Sequence, residues 1–461
     1  MVDAELLQRI LKKTLARGGE YADIYVEHRR TSTVQLDDNR IEKIISGSHS
    51  GIGIRLIYDK KTAYAYSNDF SEGTLMDLAA AVSKAAAGGE TDRTISMKKR
   101  APETTFTIRT PPDTVPLSAK IALVQKGNEA ARAFDPKIKQ ATVTYRDSRQ
   151  NVIIVTSEGN LVEDERTHTL GLVQVIAVDG TAIQTGYEPV GGLIGFELFE
   201  ENPLDAIALK AARRAVMMLS ARRAPGGRMP VVISSEAGGT MIHEAIGHGL
   251  EADLAQQGLS VYSRKVGQQV ASPAITVIDD ATLPNKRGSF SFDDEGTPSR
   301  RNVLVKDGIL LGYMYDTYTA LVDRTLSTGN GRRESYEYKP IPRMTNTFIA
   351  PGSHSPDEVI RSVPRGLLVK KMGGGQVNTV TGDFVFDVQE GYLIENGSIL
   401  EPVRGATLVG NGPTVLQSID MVASDLGFSV GTCGKDAQGA PVSDAMPTLR
   451  IPEMVVGGEV K

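Results

Sequence analysis

Two histidines five residues apart constrain this chain more than any other feature in it. The stretch Met241-Ile242-His243-Glu244-Ala245-Ile246-Gly247-His248 reads as helix. At about 100° per residue, five steps leave the two imidazoles roughly 140° apart. Both rings reach a common point only if the helix widens, and a π-bulge does this. Gly247, just before the second histidine, is where the backbone is expected to give way. Imidazole nitrogens are good zinc ligands, and a carboxylate beside a zinc-bound water, here that of Glu244, can take its proton. The common zinc pattern H-E-x-x-H spaces its histidines by four, so this motif departs from it. Two ligands also leave such a site one short of the usual three.

Cys433 is the only cysteine in the sequence and sits in Gly431-Thr432-Cys433-Gly434-Lys435. The nearby glycines predict a tight loop. A lone cysteine is more often an inert buried residue than a ligand, whereas Lys435 two residues on favours the thiolate that binds metal. On these motifs, together with Pro447-Thr448-Leu449-Arg450-Ile451, the chain resembles the TldD/PmbA metallopeptidases. Arg332-Arg333-Glu334-Ser335-Tyr336, Arg343-Met344-Thr345-Asn346-Thr347-Phe348, Gly391-Tyr392-Leu393-Ile394-Glu395-Asn396-Gly397 and Val403-Arg404-Gly405-Ala406-Thr407-Leu408 extend the likeness. It is strong from about residue 225 onward and looser before.

The resemblance implies that His243, His248 and Cys433 hold Zn2+ and that Glu244 is the catalytic base. The PmbA branch lacks this set, so the match is to the metal-binding branch. The resemblance further implies a metalloprotease that hydrolyses small, unfolded or leader-type peptides, bound in extended form as an added β-strand. It implies pairing with a PmbA-type subunit in a heterodimer, or a homodimer. A non-catalytic peptide escort with a structural zinc stays open, with Glu251 or Asp253 as a fourth ligand. So does hydrolysis of a non-peptide amide. For an oxyanion, Arg332, Arg333, Tyr336 and amides of the glycine-rich loops are candidates that the sequence does not choose among.

With 461 residues the chain exceeds a single core, and two or three domains are expected. Fifty-one basic against 56 acidic residues, with no long basic run, argue against a nucleic-acid partner. There is no apolar stretch of about 18 residues, so no membrane span is expected. The first residues lack the basic and apolar regions of a signal peptide, and one cysteine forms no internal disulfide, which together point to a cytoplasmic protein.

The fold class expected is α+β. Residues 1–90 and 117–222 each read as helix, antiparallel strands and helix, and 228–461 as a β-rich domain carrying the metal helix. The first segment has a helix capped by Asp3, strands from 22 to 67 and a helix from 74 to 87 stopped by Gly88-Gly89. Residues 90–116 read as a polar linker and 222–230 as the main boundary. In the second segment, 118–134 and 204–219 suit helices, and 139–184 reads as strands. Asp179-Gly180, Asp307-Gly308 and Asn396-Gly397 signal hairpins. Asp293-Asp294-Glu295-Gly296 reads as a solvated turn, with calcium binding as the lesser alternative. Gly373-Gly374-Gly375 reads as a turn, with a backbone-lined approach to substrate as the alternative. His28, His49, His168 and His354 have no ligand partners in sequence and read as surface or packing residues.

Overall fold

The computed structural model describes residues 3–86, 88 and 94–459. The chain is α+β, with a β-rich C-terminal region. Helix α1 (Ala4–Thr14) starts where the Asp3 carboxylate accepts from the Leu6 amide at 2.8 Å. Strands β1 (Tyr21–Asp37), β2 (Arg40–Tyr58) and β3 (Lys61–Ser67) follow, then α2 (Glu72–Ser83). This last helix ends earlier than the alanine run suggests, and the expected end at Ala87 and stop at Gly89 lie outside the described residues. The second segment supplies α3 (Leu117–Phe134), β4 (Ile138–Thr156), β5 (Asn160–Asp179), β6 (Ala182–Leu193) and α4 (Leu204–Ser220).

The strands of both segments form one sheet, joined by antiparallel pairing of β1 with β4 from Asp23–Thr156 to Asp37–Thr142. Alternation along these long strands then divides their neighbours by face. Ala22, Ile24, Ile54 and Val155 pack under α1 and α2, while Val34, Leu36, Val143 and Val173 pack under α3 and α4 further along. The opposite face presents Tyr25, Val152 and Ile154 to Phe292 and Tyr336 of the C-terminal region. Close approach is possible there because Gly51 lacks a side chain, since a Cβ would fall 2.2 Å from the Tyr336 ring.

The stretch expected to be a linker packs against its neighbours where it is described. Ile95 joins the core under α1, Lys98–Lys99 pair with β5, and the Arg109 and Thr110 amides donate to Glu197. Its residues 90–93 lie outside the described set. The expected boundary at 222–230 likewise enters sheets, through Arg222–Arg223 and the start of β7 (Gly227–Ile233).

In the C-terminal region, β8 (Val277–Asp280), β9 (Arg301–Lys306), β10 (Ile309–Leu310), β11 (Asn346–Ile349), β16 (Gly427–Lys435) and β17 (Gln438–Met446) form a sheet in the order β10-β9-β8-β11-β17-β16. Strand β16 ends that sheet. A second sheet contains β7, β12 (Arg365–Val377), β13 (Asp383–Glu395), β14 (Ser398–Arg404), β15 (Thr407–Asn411) and β18 (Leu449–Gly457). It runs β12-β7-β18-β15-β13, and β12 also pairs with β13, which closes the ring. The expected hairpins are present at Asp307-Gly308 and Asn396-Gly397, each with two positive-φ residues, and at Gly180.

The acidic run 293–295 is neither a solvated turn nor a cation site. Its three side chains are buried at the contact with the N-terminal sheet. Asp294 meets Arg166 at 2.6 Å, Glu295 meets Arg55 at 2.7 Å, and the Arg333 guanidinium donates to the Asp294 carbonyl at 2.9 Å. Arginines from the other segments supply the countercharge that a turn read in isolation would take from water. Asp294→Ala leaves the buried Arg166 without one of its two carboxylates and the Arg333 amide without its acceptor. Denaturant unfolding should report a loss of about 3–5 kcal/mol, the usual cost of breaking a buried ion pair; an unchanged midpoint would show that the contact contributes nothing.

Candidate metal centre and active site

Strand β7 delivers the chain to Ser234, whose hydroxyl accepts from the Glu236 amide and caps a short 3-10 turn. Gly238 (φ 75°) then reverses the backbone. The helical run that follows starts at Thr240 and widens at His243–Gly247 into a π turn, with the His248 amide donating to the His243 carbonyl five residues back. The five-residue spacing is thereby accommodated. Met241, Ile242, Ala245, Ile246 and Leu250 anchor the segment in the C-terminal core. Gly247 has ordinary helical angles (φ −53°, ψ −58°), so its role is not conformational freedom. It leaves room for Met344, whose Sδ would lie 2.2 Å from a Cβ at this position.

The widened turn brings the two imidazole centroids to 4.9 Å at nearly a right angle. Cys433 lies between their Nε2 atoms, with its Sγ 3.2 Å from that of His243 and 3.4 Å from that of His248. The three donor atoms all fall within 4.8 Å of one another. Cys433 arrives on β16, the edge strand of its sheet, and not on the loop its glycines suggest. Its carbonyl accepts from the buried Arg343 guanidinium, which also holds the Gln438 carbonyl at 3.2 Å and so fixes the hairpin backbone at the cysteine.

Surrounding groups orient the donors. The His248 Nδ1 is 3.0 Å from the fully buried Glu251 carboxylate, which leaves Nε2 to face the cysteine. Burial opposes the charge on Glu251, but Lys435 and His248 outweigh it and hold the carboxyl down at about 2. Lys435 contacts Glu251 at 3.1 Å and Asp253 at 2.7 Å. It therefore braces the His248 side of the site, and the sequence expectation that it activates Cys433 is corrected. Burial pushes the Cys433 thiol up, yet hydrogen bonds from the two imidazoles prevail and bring it to about 5. Asp444 stands 3.9 Å from the His243 Nδ1, too far for a hydrogen bond, and that buried nitrogen has no partner. Burial raises the Asp444 carboxyl to about 6 despite His243 nearby. Asp444 and Arg343 carry no sequence signal as site residues, since nothing in their spacing relates them to the histidines, whereas Glu251, three residues after His248, is close enough in sequence to be considered and holds the His248 ring.

A cavity of about 430 Å³ opens over the donors. Glu244, half-buried, lines it beside His243, His248, Cys433 and Asp444. Its far walls are Tyr187 and Pro189 from β6 and Lys371, Gly373 and Gly374 from β12. The last two are not a turn. They occupy a bulge in the pairing of β12 with β13, between Met372 and Gly375, and present backbone to the cavity. The oxyanion candidates Arg332, Arg333 and Tyr336 do not line it. Arg332 donates to the Met344 carbonyl, and Tyr336 packs on the N-terminal sheet.

The donor set fits zinc. Two Zn–N bonds of about 2.0–2.1 Å and one Zn–S bond of about 2.3 Å at tetrahedral angles separate nitrogen from sulfur by about 3.5 Å, close to the spacings observed.

The sequence matches three successive family models: PmbA/TldA metallopeptidase domain 1 over residues 22–88, the central domain over 110–219 and the C-terminal domain over 226–458. A metalloprotease TldD homolog of Haemophilus influenzae is 38% identical over 452 residues, which is 96% of this chain and 94% of that protein. A zinc metalloprotease TldD homolog of Saccharolobus solfataricus is 27% identical over 98% of this chain and all of its own length. The crystal structure of TldE from Thermococcus kodakarensis shares the fold with a TM-score of 0.75 at 20% identity, covering 98% of this chain and 99% of that one.

Gly247→Ala should cost about 1–3 kcal/mol, because the methyl group has to displace a fully buried methionine. Thermal unfolding checks it, and an unshifted midpoint would contradict the close contact with Met344.

Proposed function

The chain belongs to the PmbA/TldD metallopeptidase family, and we propose that it is a zinc peptidase that hydrolyses small, unfolded or leader-type peptides bound in extended form. One observation carries this reading: three donors of zinc-ligand type converge within 4.8 Å in a cavity that also admits Glu244. His243, His248 and Cys433 would hold the metal, which supplies Lewis acidity toward water and a peptide carbonyl. Glu244 is the general base. It takes a proton from the attacking water and returns it to the leaving nitrogen. Glu251 keeps the His248 ring oriented through Nδ1. Among the oxyanion candidates, Arg332, Arg333 and Tyr336 do not line the cavity, whereas Gly373 and Gly374 do, and their backbone amides would donate to the developing oxyanion.

Substrate binding uses the free edge of β16, along which an extended peptide adds as a further strand. Main-chain hydrogen bonds then supply affinity with little demand on sequence. Glu251 and Asp253, the candidate fourth ligands of a structural zinc, are both engaged by Lys435, which favours an open position at the metal over an escort role. Pairing with a PmbA-type subunit, for which the likeness to TldE gives a fold precedent, or with a second copy would enclose the cavity. Among the described residues no helix is long and apolar enough to cross a membrane.

Glu244→Gln tests the assignment of the base. Zinc content and peptide binding should persist while turnover falls by roughly a hundredfold or more. Equal turnover per zinc in variant and parent would remove Glu244 from the mechanism.

A further inference from the structure

A second cavity, of about 490 Å³, lies where the N-terminal sheet meets the C-terminal region. Thr432, the neighbour of Cys433, lines both this cavity and the one over the metal donors. Six arginines face the second cavity against three carboxylates. Three of the arginines are paired: Arg29 with Glu27 at 2.7 Å, Arg166 with Asp164 and Asp294, and Arg333 with Asp23 at 3.5 Å. Of the remaining carboxylates, Asp147 is held by Lys120 at 2.7 Å and Glu334 accepts from the Gly439 amide.

The other three arginines, Arg146, Arg287 and Arg332, form no ion pair among the described residues. Arg332 is buried and donates to the Met344 carbonyl at 2.7 Å. Arg287 donates to the Gly431 carbonyl at 3.1 Å and reaches the Thr432 hydroxyl at 3.5 Å. Arg146 is exposed at the rim. Burial, and then Arg146, lowers Arg287 to about 10. Burial likewise brings Arg332 to about 10. His168 on the same wall is held well below its usual range by burial and by Arg287. Sequestering cations without counterions is costly, so the cavity is short of an anion.

We propose that this cavity is a carboxylate subsite for the peptide substrate, with Arg146, Arg287 and Arg332 as its anion-binding residues. The proposal rests on the peptidase reading and adds a preference to it. Side chains alternate along a strand, so Thr432 and Cys433 point to opposite faces of β16. A peptide added along that edge places every second side chain on the Thr432 face, where Arg287 stands. The carboxylate is therefore either an Asp or Glu side chain one step from those facing the metal donors, or the free C-terminus of a short peptide. Planar guanidinium groups match a carboxylate through two parallel hydrogen bonds.

The test compares kcat/KM for one unstructured peptide with Glu or Gln scanned through the positions around the cleaved bond, and with its C-terminus free or amidated. At one position Glu should exceed Gln by about tenfold or more, the usual worth of a charged hydrogen bond. If the terminus is the ligand, the free acid should exceed the amide by as much. In the Arg146→Gln/Arg287→Gln variant that ratio should fall toward one. Being a ratio within one protein, it is insensitive to a general loss of activity. Arg146→Gln alone, at an exposed side chain, should lower it in part if the double variant does not fold. Absence of any acid preference in the parent, or a ratio unchanged in the variants, overturns the subsite. The same peptide pairs are titrated onto the Glu244→Gln protein by fluorescence anisotropy. Acid-selective binding without turnover in the parent keeps the subsite and removes the peptidase reading, whereas turnover without selectivity does the reverse.

Discussion

A buried ion cluster ties together the two parts of the chain that carry His243, His248 and Cys433. Glu251 stands three residues beyond His248, and Lys435 stands two beyond Cys433. Their contact at 3.1 Å, with Asp253 closing on the same ammonium at 2.7 Å, joins the widened turn to the edge strand. The separation in sequence is about 185 residues. Truncating Lys435 would deprive the buried Glu251 and Asp253 of their shared cation in a site with little access to water, at a cost of several kcal/mol. Glu251 also holds the His248 ring, so the same carboxylate fixes both where the strand sits and which nitrogen faces the cysteine. Arg343 performs the complementary task from the other side, by gripping the backbone at Cys433.

The second segment covers one side of this centre. The sheet shared by the two N-terminal segments buries one face under four helices and turns the other toward the C-terminal region, where Arg55 and Arg166 meet Glu295 and Asp294. That contact sets the position of β6, whose Tyr187 and Pro189 complete the wall of the cavity over Glu244. The cavity is therefore built from the second segment and the C-terminal region together, although His243, His248 and Cys433 all come from the latter.

Local chemistry was legible in the sequence; long-range placement was not. The turns at Asp307-Gly308 and Asn396-Gly397 follow from residues that tolerate positive φ, and the cap at Asp3 follows from a side chain three residues from its donor. The π turn is readable because two histidines five apart can face a common point in few helical geometries. By contrast, the glycines around Cys433 concealed an edge strand, whose pairing with β17 is decided by residues beyond the hairpin turn. The acidic run at 293–295 looks solvated in sequence because Arg55 and Arg166, which pair with its carboxylates, lie more than a hundred residues away. In sequence Gly247 suggests a point of backbone yielding, but the reason for it, Met344, is visible only once the core is packed.

X-ray absorption at the zinc K-edge of the purified protein tests the central claim most directly. One sulfur at about 2.3 Å, two nitrogens at about 2.0–2.1 Å and a single exchangeable light-atom neighbour are expected from two histidines, one cysteine and an open position. A zinc shell without sulfur, or one with four protein donors and no exchangeable neighbour, would contradict it.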